Sequence, residues 1–367
     1  MAIRQSIYDW VAVVMMLLSS DFVLGQERPI EIAPAEKAPI DLGPTAGMAS
    51  PAPKSDAMPM GMEGFGMGGP GMGGPGMGGP GYSATWYPTR PVTNGPTGTD
   101  LGLVRQSVTG MIPMWKDGGD AVMLMANVGN SSFHTDAVLP DSNRAFPKEL
   151  WNISVGMMYM HKFENGWTAG GGVNFGSASD KPFYSLNVMT VGFNAFLQMP
   201  SWNDRDFWKF SLMYSPVGTL NFPIPGVAYM WNPSDSFHMS IGMPFMVMWK
   251  PVEDLAINLM YVPLTNVNAR ATYRLADGLF IFGGYEWVQE AYLLADREDQ
   301  KDRFMSFEQR LISGIRWNVR QHATFEFNAG YAFDRYYGIG QNQIGNLRDK
   351  IDIAPGAFIA ASLRVRF

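Results

Sequence analysis

Cysteine is absent from the 367-residue chain. That excludes disulfides, thiolate metal centres and a lipid anchor on an N-terminal cysteine. Charge is scarce, since Asp, Glu, Lys and Arg make up 16% of residues, whereas soluble proteins carry roughly 25%. The formal net charge of −6 offers no basic surface for nucleic acid. Long hydrophobic runs are missing as well. A spanning helix needs roughly 20 apolar residues in a row, and Gly, Asn or Arg breaks every apolar stretch before that length. If such a chain enters a membrane, it must do so as a closed β-barrel, because an open sheet edge cannot be satisfied in lipid.

What is present points that way. The chain ends Ala357-Phe358-Ile359-Ala360-Ala361-Ser362-Leu363-Arg364-Val365-Arg366-Phe367. Ile359, Ala361, Leu363, Val365 and Phe367 share one face of an extended strand, and Ser362, Arg364 and Arg366 share the other. Two arginines on one face suit a wet lumen better than a dry core. A closing strand that ends in Phe looks like the C-terminus of a bacterial outer-membrane barrel, so Phe367 is expected to serve as an assembly signal read by the barrel-assembly machinery.

The N-terminus has the form of a secretory signal over residues 1–25. Arg4 gives a positive start, Trp10 to Leu18 a short apolar run, and Val23 and Gly25 precede a cut ahead of Gln26. Residues 26–96 read as a disordered periplasmic tail. The pentapeptide Gly-Met-Gly-Gly-Pro runs from Gly66 to Pro70, then from Gly71 to Pro75 and from Gly76 to Pro80. Gly and Pro at this density hold neither a helix nor a ladder. Met60, Met62, Met67, Met72 and Met77 would suit Cu(I), a soft metal. No His or Cys joins them, and low-complexity drift is the plainer explanation, so no metal or cofactor is assigned.

Residues 97–120 read as a connecting segment or a first strand, and 121–367 as the barrel. From Ala121 on, strands of about ten residues alternate with turns, the pattern of an antiparallel transmembrane barrel. Phe325, Phe327, Ala329 and Tyr331 oppose Thr324, Glu326, Asn328 and Gly330. Leu311, Ile315 and Trp317 oppose Glu308, Arg310 and Arg316, and Ala269, Ala271 and Tyr273 oppose Arg270 and Arg274. Short turns and long loops must alternate. Arg335 to Pro355, Glu290 to Arg303 and Gly129 to Leu150 read as outer loops, and Glu164 to Gly166 and Ala276 to Gly278 as inner turns. Parity holds if Pro216 to Ser236 is one outer excursion, which Pro223 and Pro225 favour. The count is about twelve strands, or about fourteen if Val227 to Trp231 and Leu101 to Ile112 are also strands. Trp167, Trp249 and Trp317 fall at inner strand ends, and Trp151, Trp287, Tyr331 and Phe333 at outer ends. Two aromatic girdles mark the headgroup levels of a bilayer; a soluble β-sandwich would bury its aromatics centrally.

The stretch Pro223 to Tyr229, followed by Ile241-Gly242-Met243-Pro244, Trp249-Lys250-Pro251 and the alternating C-terminal strands, resembles a group of uncharacterised bacterial outer-membrane barrel proteins. The resemblance runs from about Gly129 to Phe367. It implies a barrel and an outer-membrane location in a Gram-negative-type bacterium, and brings no activity or catalytic residue with it.

A search for chemistry finds little. His238 and Ser240 share a face, as a barrel hydrolase or acyltransferase would need, but neighbours two apart on a strand lie about 7 Å apart, too far for a nucleophile and its base. Gly170-Gly171-Gly172 has no following helix and is not a phosphate loop. The charges are more telling. Arg270, Arg274, Glu286, Glu308, Arg310, Arg316, Glu326, Arg364 and Arg366, with Glu290 and Asp334, fall on neighbouring C-terminal strands with shared parity. They line the expected lumen. The expected role is non-enzymatic: passage of a small polar solute past these charges, or else a structural or surface-interaction barrel in which they fill a plugged lumen. The expected partners are outer-membrane lipid and a small solute of unknown identity, and not nucleic acid.

Overall fold

A computed structural model describes residues 80–94, 98–203, 205–218, 222–262, 266–319, 322–342 and 346–365. The expected signal segment, the methionine repeat, Arg366 and Phe367 lie outside these residues.

The strands are β1 (Gly81–Pro91), β2 (Asp100–Asp117), β3 (Asp120–Thr135), β4 (Glu149–Lys162), β5 (Thr168–Ser179) and β6 (Met189–Pro200). They continue with β7 (Phe207–Tyr214), β8 (Ile224–Ser234), β9 (Phe237–Gly242), β10 (Phe245–Val252), β11 (Leu255–Val262) and β12 (Asn266–Ala276). The last are β13 (Leu279–Tyr292), β14 (Arg303–Val319), β15 (Ala323–Gly340), β16 (Arg348–Ile353) and β17 (Gly356–Val365). From β1 to β16 each strand pairs antiparallel with the next, β17 pairs with β15, and β1 pairs with both β2 and β17, so the sheet closes on itself. Closure satisfies the first and last strands, which would otherwise be bare edges.

Sixteen strands form the wall. β16 is not a seventeenth, because it carries the register of β17 further along β15: Ile353 faces Arg335 as Gly356 faces Ala332, with Ala354 and Pro355 as the break. The expected count of about twelve was low for three reasons. The wall begins at Gly81, inside the segment read as tail. β2 is a full strand, so 97–120 is wall and not connector. The supposed single excursion from Pro216 to Ser236 contains β8, and a tight turn at Met243-Pro244 divides the next stretch into β9 and β10. Proline tolerates its place in β8 because pairing with β9 starts only at Ala228. Pro225 can therefore direct its missing donor at an unpaired edge.

One end of the barrel carries short turns: 118–119, 163–167, 201–206, 235–236, 253–254, 277–278 and 320–322. We call this the turn end. Gly278 shows how tight these are. It sits at φ 72°, and a Cβ there would lie 2.7 Å from the carbonyl oxygen of Asn318. The other, loop end carries long connections at 92–99, 136–148, 180–188, 215–223 and 293–302. Arg335 to Pro355 is largely strand rather than loop: the end of β15 pairs with β14 as far as Arg303, and β16 pairs with β15 and bonds to the segment after β1, so the wall continues through both.

Face assignment follows the alternation. Ile315, Trp317, Phe325, Phe327, Tyr331 and Ile359 are exposed on the outer surface, while Ile312, Ala332 and Phe358 between them are buried inside. Trp115, Trp167, Trp231, Trp249 and Trp317 are exposed near the turn end, giving the expected girdle. An apolar outer face on a closed sheet with no free edge is an outer-membrane-type barrel fold. Phe327→Arg should therefore destabilise the inserted barrel by about 2–4 kcal/mol. Ser362→Arg, on the inward face opposite Glu326, should be tolerated. Urea unfolding from lipid vesicles followed by tryptophan emission checks the pair; equal losses would remove the face assignment.

Candidate functional site

Inward alternation on β12 to β17, β1 and β2 brings the charged side chains together on the concave side. They form two clusters. In the first, Arg270 donates to Glu326 at 2.7 Å and Arg316 donates to the other carboxylate oxygen at 3.0 Å. β12 and β15 are separated by two strands, so this bridge closes only across the hollow of the wall. The Arg270 guanidinium also lies 3.5 Å from the centre of the Phe282 ring, a cation–π contact that replaces lost hydration.

The second cluster centres on Glu308. Its carboxylate accepts Arg105 at 2.9 Å and the Tyr87 hydroxyl at 2.9 Å, with Arg310 and Arg335 each at 3.6 Å. Arg105 reaches Glu290 at 3.2 Å, and Arg310 reaches Glu286 at 2.8 Å. Arg335 lies over the Tyr87 ring at 4.5 Å. Three arginines face three glutamates, so the cluster is neutral as a whole. Such pairing is the condition under which buried charge persists.

Of the charges expected to line the lumen, Arg270, Arg316 and Glu326 meet in the first cluster, and Glu286, Glu308 and Arg310 in the second. Arg364 lies on the inward face of β17 near the turn end, where Thr324 is its cross-strand partner. Arg274 stands apart at the rim and pairs with Asp254 at 2.6 Å and Glu253 at 3.0 Å. Asp334 departs from expectation. It occupies a register shift in β15 at φ 48°, faces outward, and accepts Gln309 at 3.0 Å. That shift reverses the parity of the residues after it and turns Arg335 inward. Arg105 and Arg335 were missed. Arg105 shares parity with Leu101 and Leu103, so its face reads as apolar in sequence, and Arg335 falls where a loop was expected.

Above the charges the loop end is filled with apolar groups. Phe133, Phe146, Phe304 and Tyr337 form a ring cluster with centroids 5.1–5.7 Å apart. Phe146 is delivered by the 136–148 loop, which folds inward as a small hairpin. Phe146 N–H donates to the Ala137 carbonyl at 3.0 Å and Leu139 N–H to the Arg144 carbonyl at 2.7 Å. The Asp349 carboxylate caps its tip by accepting the Asp141 and Ser142 amides at 2.8 and 2.7 Å.

A further contact spans the barrel. Leu293 N–H donates to the Ala178 carbonyl at 2.7 Å. Ala178 belongs to β5, and Leu293 directly follows β13. Seven strands separate β5 from β13 in either direction, β6 to β12 on one side and β14, β15, β17 and β1 to β4 on the other. Opposite walls therefore meet at the loop end. Ala295 N–H adds a bond to Asp180 at 2.8 Å, and Arg303 donates to the Gly218 carbonyl at 2.5 Å. Outside this closure lies a polar cleft of about 520 Å³ lined by Glu298, Asp299, Asp302, Asn342 and Arg348 among others.

His238 and Ser240 do not form a catalytic pair. His238 Nδ1 lies 2.8 Å from Asn232 Oδ1, and the Ser240 hydroxyl donates to the Pro244 carbonyl at 2.8 Å. The glycines of β5 are close-packing positions: a Cβ at Gly170 would lie 2.6 Å from the Phe196 ring.

Residues 121–366 match a family described as a domain of unknown function (DUF6268). The chain belongs to that family. It is thus one of an uncharacterised group of outer-membrane-type barrels, as its sequence resemblance implied. Among solved structures, it is similar to an outer-membrane channel from Pseudomonas putida F1, at 9% identity over 78% of this chain and 95% of that one, with a TM-score of 0.33. The transport unit of the autotransporter AIDA-I from Escherichia coli matches at 13% identity over 84% of this chain and 96% of that one, with a TM-score of 0.30. The β-domain of the Bordetella autotransporter BrkA matches at 11% identity over 79% and 99%, with a TM-score of 0.28. No functionally curated protein matches the chain. The family brings no chemistry to these residues, so the reading of the lumen rests on its own geometry.

Glu308→Gln would leave three buried arginines short of a counter-charge and should cost about 3–5 kcal/mol. Asp235→Asn, which breaks the exposed pair with Arg205, should cost at most about 1 kcal/mol. Urea midpoints in vesicles compare the two; similar small losses would show that the inner cluster is not buried in the folded barrel. Phe146→Ala should cost about 3–5 kcal/mol if the inward loop is part of the core, and a neutral result in the same assay would place that loop in solvent.

Proposed function

We propose that this protein is a bacterial outer-membrane β-barrel with a lumen occluded at its loop end, acting through its surface loops and not as a constitutive pore or an enzyme. The backbone bond between Leu293 and Ala178 carries the reading. A sixteen-stranded wall would ordinarily leave an aqueous channel. Here opposite walls touch, and the space beside β14 to β17 and β1 to β4 is filled by the neutral cluster of three arginines and three glutamates, by the Arg270–Glu326–Arg316 bridge and by aromatic rings. The charges act as internal structure. The polar cleft above the closure is the surface open to a partner.

One observation supports a second reading, passage of small solutes. Thr190, Gly192 and Asn194 of β6, Lys209 and Ser211 of β7 and Asn258 of β11 share the inward face on the other side of the pinch. A route there would be narrow and lined by few charges, Lys209 and Arg270 among them.

Planar-bilayer recordings on the purified barrel distinguish these readings. The occluded form should give no steady porin-like conductance. Replacing 137–146 with a short Gly-Ser linker, combined with Arg105→Ala, should open one. Steady conductance by the unaltered protein would overturn the occluded reading. Liposome swelling in small neutral sugars without ionic conductance would favour the narrow route.

A further inference from the structure

The connection between β5 and β6 has an unusual outer face. Leu186 is 84% exposed, Tyr184 74% and Phe183 51%. Three large apolar side chains in water within four residues call for a partner. The loop that carries them is not slack. The fully buried Ser177 hydroxyl donates to the Val188 carbonyl at 2.8 Å and accepts the Phe183 amide at 3.2 Å. The Ser179 hydroxyl accepts the Lys181 amide at 3.1 Å. Phe183 is held at φ 59°, a left-handed conformation unfavourable for a bulky residue. The fold holds an apolar group outward in a strained conformation instead of letting it turn in.

Direction is set by the contacts on the other side. The lumen side of this loop is covered by the 293–302 loop, through Leu293 to Ala178, Ala295 to Asp180, and Arg297 donating to the Asn187 carbonyl at 2.5 Å. The exposed trio therefore faces away from the barrel axis. Directly below it, Phe175 on β5 and Met189 and Val191 on β6 are exposed on the outer wall. Met189 follows the 3₁₀ turn Leu186–Val188. The trio is thus continuous with the lipid-facing surface. Lys181, with its ammonium 5.9 Å from the centre of the Tyr184 ring, adds a cation at the same level. An aromatic beside a cation suits the boundary between acyl chains and anionic headgroups.

We propose that the 180–188 loop is a built membrane anchor, with Phe183, Tyr184 and Leu186 inserting into the headgroup boundary and Lys181 meeting lipid phosphate. This rests on the membrane reading above. It would fix the barrel's depth beside β5, the strand to which the opposite wall is bonded, so the bilayer would press on the pinch from outside.

The lack of cysteine makes the test clean. Leu186→Cys and, separately, Val191→Cys are labelled with an environment-sensitive fluorophore and reconstituted into vesicles of phosphatidylcholine and phosphatidylglycerol. Nitroxide lipids labelled at the headgroup or deep in the acyl chain are then added, with aqueous iodide as the opposing quencher. The probe at 186 should lose most of its emission to the headgroup nitroxide and be shielded from iodide; the probe at 191 should respond to the acyl-chain nitroxide. Full iodide access at 186 with normal behaviour at 191 would overturn the anchor and leave the barrel reading intact. Loss of nitroxide quenching at both sites would overturn the membrane reading and the anchor with it. Shielding at 186 from both quenchers that disappears on dilution into excess lipid would assign the patch to a second copy of this chain and overturn the lipid assignment.

Discussion

Everything at the loop end depends on opposite walls of the barrel coming within hydrogen-bonding reach. A sixteen-stranded sheet closed into a round cylinder holds its far walls well apart. The bond from Leu293 to Ala178 shows that this one is drawn together where β5 and β13 end. Once the walls meet, side chains that would project into water are forced against one another. Glu308 then reaches Arg105, Arg310, Arg335 and Tyr87 at once, and the 136–148 loop has a wall to fold against. The pinch and the filling support each other. Backbone groups brought together in a dry interior must pair, and the apolar rings around them keep water from competing for those bonds.

Charge is the part of this interior that needs explanation, because an apolar core of the same volume would be at least as stable. Specificity offers a physical answer. Leu101, Leu103, Phe304 and Ile339 could pack in many arrangements with little difference in energy. Three arginines and three glutamates around Tyr87 satisfy one another in few. Arg105 on β2 reaching Glu290 on β13 fixes how far the closing seam lies from the wall opposite it. The Arg270–Glu326–Arg316 bridge does the same nearer the turn end, across β12, β14 and β15.

The sequence revealed the barrel class and the face of nearly every C-terminal strand, because alternation and turn chemistry are local. Phe325, Phe327 and Tyr331 declare themselves outward without knowledge of any partner. What stayed hidden was non-local or disguised. β1 comes directly after a Gly-Pro-Met repeat, and its prolines at 88 and 91 look like more of the same tail. Its identity as a strand depends on β17, at the far end of the chain. Arg105 was masked by the parity argument that served elsewhere: near the loop end, apolar residues point inward, so Leu101 and Leu103 make an inward face look lipid-facing. The register shift at Asp334 reverses parity within one strand, and no periodic pattern announces it.

The two ends of the barrel also obey different rules. At the turn end, tight connections such as Asp277-Gly278 leave little chain to fold inward, and the inward face there carries Arg270, Arg316, Glu326 and Arg364. At the loop end, the 136–148 and 293–302 connections are long enough to return to the lumen, and the inward face beside them becomes apolar to receive them. Phe133 and Tyr337 are buried only because Phe146 arrives from a loop. The filling of the loop end is therefore a property of loops and wall together. The sixteen strands alone would form a wide ring, and the 136–148 and 293–302 loops alone would have nothing to pack upon. That interdependence is why the end of the barrel with the longest connections is also the end whose interior is filled by buried apolar groups.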